Sequence, residues 1–210
     1  MRQIRLALLP LVLSILLPSV VHAQDVLGFS FGGGLTLARG GAAETHGRGI
    51  NLGFKTTAPL SERLTVLATI GYQDIRLDDD AEARRRGHDP EIFRLGGGFI
   101  DGGHRRVLGV LVEGQLHLLP RSSRLSPYVV AGAGVSQLRV PDTDVYFLNE
   151  WETDPGSNEV APMAEVGAGL QLRLSQAVAL FAQGSYLTVF ADETTTMIPL
   201  HVGLLIEMGP

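Results

Sequence analysis

The chain has 210 residues, a formal net charge of −5, 26 glycines and no cysteine. That length suits one domain or a small pair, and the acidic balance argues against a nucleic-acid partner, for which a basic face is expected. Without cysteine there is no disulfide framework, so an exported fold must hold by backbone pairing and packing.

Taken in order, the first residues read as a targeting segment. Arg2 and Arg5 precede an apolar run from Leu6 to Val21 that contains Pro10 and Pro18. Val21-His22-Ala23 then places small residues at the −3 and −1 positions before Gln24. This is signal-peptide logic, and it predicts a cleaved segment over 1–23 and a folded domain over 24–210. Loss of the two arginines takes the charge to about −7. No long apolar run follows Val21, so no membrane-spanning helix is expected.

Period-two alternation dominates the remainder. The first strand has Leu27, Phe29, Phe31, Leu35 and Leu37 on one face and Gly28, Ser30, Gly32, Gly34 and Thr36 on the other. Ala38 to Gly49 reads as a Gly-rich polar loop. A short second strand sets Ile50, Leu52 and Phe54 against Asn51, Gly53 and Lys55. After a turn at Ala58 to Arg63, the third sets Leu64, Val66, Ala68, Ile70 and Tyr72 against Thr65, Thr69, Gly71 and Gln73. Leu77 to Arg105 is long and irregular, with room for a helical turn or a strand extension. In the fourth strand Leu108, Val110, Val112 and Leu116 oppose Glu113, Gln115 and His117. The fifth, from Tyr128 to Val140, is rich in Gly and Ala and its facing stays open. Pro141 to Asn158 is a polar loop holding Tyr146, Phe147 and Trp151. The sixth strand has the clearest alternation, apolar from Val160 to Leu174 at even positions, with Glu165, Gly167, Gly169, Gln171 and Arg173 between them. The seventh opposes Val178, Leu180, Tyr186 and Phe190 to Gln183 and Ser185. The eighth opposes Ile198, Leu200, Val202, Leu204, Ile206 and Met208 to His201, Gly203 and Glu207.

Eight strands, most of about ten residues, are long enough to cross a bilayer when tilted. Connections after the second, fourth and sixth are short. Those after the first, third and fifth are long, which gives one rim of tight turns and one of loops. The expected fold is all-β: an eight-stranded antiparallel up-and-down transmembrane β-barrel in an outer membrane, with the apolar face on lipid and the polar face in the lumen. The opposite facing, with the apolar residues inward and Glu113, Glu165 and Arg173 in water, would give a soluble periplasmic barrel holding a small apolar ligand.

The pieces Leu125-Ser-Pro-Tyr-Val-Val-Ala-Gly-Ala-Gly-Val135, Ala164-Glu-Val-Gly-Ala-Gly-Leu170 and Ile198-Pro-Leu-His-Val-Gly-Leu204 resemble the outer-membrane protein β-barrel domain family. These are the small eight-stranded barrels similar to OmpX and to the membrane part of OmpA. The likeness covers nearly all of 24–210 and rests on loose motifs, a Pro-Tyr strand start and Gly-x-Gly kinks. It implies a membrane barrel acting in adhesion, surface protection or envelope anchoring, with no shared chemistry. Such barrels often end in an aromatic residue, whereas this chain ends Glu207-Met208-Gly209-Pro210. Tyr72, Tyr128, Tyr186, Phe54 and Phe190 are the candidates for the interfacial girdles.

The polar face collects Lys55, Glu113, Gln115, His117, Glu165, Gln171, Arg173, Gln183, His201 and Glu207. A proton path, ligand site or hydrolytic centre is one reading. A packed polar interior is the other, and it is preferred because an eight-stranded bore is just wide enough for side chains to fill, with both signs present to pair. Glu113 and His117 lie about 13 Å apart along one strand, too far to share a metal without His201 or another strand. No catalytic, metal or cofactor site is therefore expected. A lipid-modifying enzyme would need a serine with His and an acid near the loop rim; Ser185 and Ser136 are the strand candidates and His46, His88 and His104 lie in loops, with no motif joining them. The long loops, with Asp78-Asp79-Asp80, Arg84-Arg85-Arg86 and the aromatic trio, are the expected surface for an extracellular ligand or partner. The expected partners are thus outer-membrane lipid and a loop ligand, with the chain itself a monomer.

Overall fold

The computed structural model describes residues 27–148 and 150–208; the expected signal peptide lies outside them. The described residues form eleven strands and two short α-helices: β1 (Leu27–Arg39), β2 (His46–Pro59), β3 (Leu64–Leu77), α1 (Asp79–Arg85), α2 (Pro90–Leu95), β4 (Phe99–Gly102), β5 (Arg105–His117), β6 (Leu125–Val140), β7 (Thr143–Phe147), β8 (Glu150–Asp154), β9 (Ser157–Arg173), β10 (Val178–Val189) and β11 (Thr195–Met208). Eight of the strands close an antiparallel barrel in the order β1-β11-β10-β9-β6-β5-β3-β2. The seam pairs β1 with β11 from Leu27↔Met208 to Arg39↔Thr196, so this barrel leaves no open edge.

Alternation decides which way each strand faces. Leu52 is 59% exposed and Val202 64%, whereas their strand neighbours Asn51, Lys55 and His201 are buried. Phe31, Ile70, Leu108 and Leu170 are likewise exposed, giving a continuous apolar outer wall. The soluble alternative, with the apolar face inward, is not the arrangement found. The open facing of the fifth strand resolves with Tyr128, Val130, Ser136 and Leu138 inward. Tyr128 is therefore a lumen residue and not a girdle residue, while Phe54, Tyr186 and Phe190 are exposed outside.

Two boundaries differ from the sequence expectation. The second strand is not short, for it begins at His46 and has 14 residues. The loop after β1 is correspondingly small, a single 3-10 turn at Gly40–Glu44. His46 to Gly49 reads as loop because of its glycines, yet it continues the β2–β3 ladder past an irregularity between His46 and Gly49. At Gly49 a Cβ would sit 2.0 Å from the Asp74 carbonyl oxygen, so glycine serves there as the residue that permits close strand approach.

The long loops are folded rather than irregular. β6 and β9 run on together as far as Val140↔Ser157 and carry the hairpin β7–β8, and β4 adds to it to make a three-stranded sheet, β4-β7-β8. Asp78 caps α1 by accepting from the Ala81 N–H, with Asp79, Asp80 and Glu82 in its first turn and Arg84 and Arg85 in its last, which suits the helix dipole. Asp89 caps α2 and Pro90 opens it. Ala83 and Phe93 from these helices pack on Val145, with Ile100 and Phe147 against them. The result is a small cap over the loop rim.

Candidate functional site: the filled lumen and the cap

The bore is filled in two layers. In the layer toward the tight turns, the Lys55 ammonium donates to Glu113 Oε2 at 3.2 Å and to Gln183 Oε1 at 3.4 Å. Thr69 donates to the same Glu113 oxygen. Tyr128 donates to Gln183 Oε1 at 3.3 Å, and the Gln183 amide donates to Glu165 Oε1 at 3.1 Å and to Ser185 at 3.2 Å. Lys55 is the cation of this group and is paired with Glu113. Room for the bulk comes from glycine: a Cβ on Gly169 would lie 2.5 Å from the Tyr128 ring.

Nearer the turns, Glu207 receives Arg121 Nη2 at 2.5 Å and Arg173 Nη1 at 2.7 Å, and Arg173 Nη2 also donates to the Arg121 carbonyl at 2.9 Å. Arg121 escapes a strand-pattern reading because it lies in a turn, and it shields the end of the bore. His117 Nε2 is 3.0 Å from the Gln115 amide and its Nδ1 2.9 Å from Ser126 Oγ, which lies 3.2 Å from the Leu119 carbonyl. These partners set the tautomer: Nε2 accepts from Gln115, Nδ1–H donates to Ser126, and Ser126 donates to Leu119. The imidazole is thus turned to give a proton to the serine and not to take one. Gln171 is buried beside a cavity of about 20 Å³ shared with Lys55, Gln115 and Gln183, room for roughly one water.

Beneath the loops the inward face changes character. Ile75, Val107, Leu111, Leu138, Met163 and Met197 belong to one buried apolar cluster, joined by Ala38, Ala161, Leu187 and Val189. The expectation of a polar interior therefore needs correcting for this half. Period two separates the two faces of a strand but carries no information on which inward rows meet across the bore. Polar groups persist here on the β1–β3 side, where Asn51 donates to the Leu35 carbonyl at 2.7 Å and to Thr36 at 3.1 Å.

The residues weighed for metal or catalysis are not brought together. Glu113 bonds to Lys55 and Thr69, and His117 to Gln115 and Ser126. His201 is buried with its own Nε2 unpartnered. Ser136 donates to the Ala161 carbonyl at 3.3 Å. At the rim, His46 Nε2 bonds to the Gly103 carbonyl at 2.9 Å, His88 stacks on Phe93 and Phe147, and His104 lies 3.4 Å from Asp74.

The cap is fastened by a second charge network. Buried Glu82 accepts from Arg85 and from Arg86, each at 2.8 Å through Nε. Arg86 reaches on to Glu152 at 2.7 Å and to Asp154, tying α1 to β8. The Arg85 hydrogen bond, with Arg86 beside it, holds the Glu82 carboxyl below its ordinary range against the opposing effect of burial.

No protein-family model matches the sequence. No curated protein matches it either. The fold does match solved structures. A major outer membrane protein from Thermus thermophilus superposes with a TM-score of 0.57 at 10% identity, over 88% of this chain and 100% of that one. Neisserial surface protein A superposes with a TM-score of 0.51 at 11% identity, over 86% of this chain and 96% of that one. With its apolar outer wall and filled bore, the chain has the fold of the small eight-stranded outer-membrane barrels.

Proposed function

We propose that the protein is exported by its first 23 residues, inserts as a monomeric outer-membrane barrel, and acts without catalysis as a brace and a presented surface. The lumen residues from Lys55 to Glu207 are structural: they hold opposite strands at fixed separation by pairing charge across the bore. The cap faces outward on the long-loop side and makes the contacts with partners. The observation that carries this reading is the two-layered filling beneath a folded cap. On the loop side the bore is filled by an apolar cluster with the hydrogen-bonded Thr36, Asn51 and Gln73 beside it, while the loops that would flank a pore mouth fold into a surface of their own.

Fractionation combined with surface proteolysis tests it. Recovery is expected in the outer-membrane fraction, with trypsin applied to intact cells cutting at the cap and leaving the barrel. Recovery in the soluble periplasm without detergent would sink the membrane assignment, and a cap protected on intact cells would sink the surface role.

A further inference from the structure

The cap sheet has two unlike faces. One carries Ile100, Val145 and Phe147 and packs on the helices. On the other, register puts Phe99, Tyr146 and Trp151 in one cross-strand row and Asp101, Asp144 and Thr153 in the next. The three rings touch, with centroids 5.0 Å apart for Tyr146–Trp151, 5.6 Å for Phe99–Trp151 and 6.2 Å for Phe99–Tyr146. Trp151 is nonetheless 63% exposed and Phe99 47%.

Charge selects what this face can hold. Residues 78–104 and 141–156 contain twelve acidic side chains and four arginines. Three of those arginines are engaged within the cap: Arg85 and Arg86 with Glu82 and Asp154, and Arg94 with Asp80. Glu150, Glu152 and Asp154 belong to the rows of the opposite face, so the strand residues of the aromatic face itself carry Asp101 and Asp144 and no basic side chain. An anionic lipid headgroup is repelled by such a surface. A flat sugar ring is poorly served too, since the rings stand at 46°, 47° and 88° to each other. Guanidinium and ammonium groups satisfy both components, the ring faces by cation–π contact and the carboxylates by ion pairing. β8 is also an edge strand of the sheet, which offers backbone groups to an extended chain.

We infer that this face, Phe99-Tyr146-Trp151 flanked by Asp101 and Asp144, is a docking surface for a basic, Arg- or Lys-rich peptide segment of a partner protein. The inference rests on the cap being the interaction surface, and it names the partner class.

Trp151 is the sole tryptophan of the chain, so intrinsic fluorescence reports on this face alone. The full chain, folded in nanodiscs of zwitterionic lipid, is titrated with a synthetic peptide of alternating arginine and serine. A saturable change in Trp151 emission is expected, suppressed in about 1 M salt, where the Debye length falls to about 3 Å. The pair Asp101→Asn and Asp144→Asn should weaken binding about tenfold, as loss of a close charge pair does; circular dichroism verifies that the barrel stays folded. Phe99→Ala should weaken it while leaving Trp151 as reporter. An unchanged emission, equal binding by the Asp variants, or a response to a neutral oligosaccharide in place of the peptide would each overturn the assignment. Quenching of Trp151 by brominated lipid would place the face in the bilayer and overturn it too. Failure here is separable from failure of the surface role, because proteolysis of intact cells does not depend on the peptide.

Discussion

Toward the tight turns, the bore is held by Lys55 between Glu113 and Gln183 and by Glu207 between two arginines; beneath the loops it is held by Leu111, Met163, Leu187, Met197 and their neighbours, with no charge in the cluster. Both layers fill the same cylinder, yet they fail differently. A buried ion pair is stable only while both partners remain, because removing one leaves an uncompensated charge in a dry interior. An apolar layer loses stability in proportion to the volume removed. The polar layer therefore specifies which side chains face each other, and the apolar cluster fills the loop-side bore beside Thr36, Asn51 and Gln73.

The largest effect should come from Lys55→Met, which strips the cation from Glu113 and Glu165 and should cost about 3–5 kcal/mol in urea unfolding from vesicles. Adding Glu113→Gln should recover much of that loss, and a strictly additive double variant would break the contrast between the layers. In the apolar layer, Leu187→Ala should cost about 2–5 kcal/mol, and no charge change elsewhere should rescue it. On the outer wall, Leu170→Arg should cost about 2–4 kcal/mol near the midplane, whereas Gln171→Arg, inside, should depend on whether Glu207 or Glu113 can receive it. Equal tolerance of both would overturn the facing.

The smallest effect concerns the cap. Glu82 has a folded-state carboxyl below its unfolded value, so its contribution is fully present above the ordinary carboxylate range. It is lost as pH falls through the lower, folded value. Trp151 emission on the neighbouring hairpin should therefore change at acid pH before the far-ultraviolet signal of the barrel does. Glu82→Gln should abolish that early change; its persistence would dissociate the cap from this network.

Much of this was legible in single residues. Glu165, Gln171 and Arg173 alternate with Val166, Leu170 and Leu172, and the sheet obeys that alternation. Gly-x-Gly pairs mark where bulky inward groups such as Tyr128 are accommodated. The cap was not legible, because Phe99 pairs with Tyr146 and Glu82 is held in a network reaching Asp154, separations that no local period records. The apolar layer was missed for a related reason: Val107, Met163 and Met197 lie on strands whose mutual height is fixed only by register.

The sequence by itself determined the eight barrel strands and, on most of them, which residues share a face, since that follows from side chains two residues apart on one strand; the outward turn of the apolar face was read from burial in the closed barrel. The tertiary structure alone decided that the bore is charged toward the tight turns and gathers an apolar cluster toward the loops, that Arg121 closes on Glu207, and that distant loops meet in one acidic, aromatic cap. Those features depend on the stagger with which eight strands close into a cylinder, and stagger is a property of the whole ring.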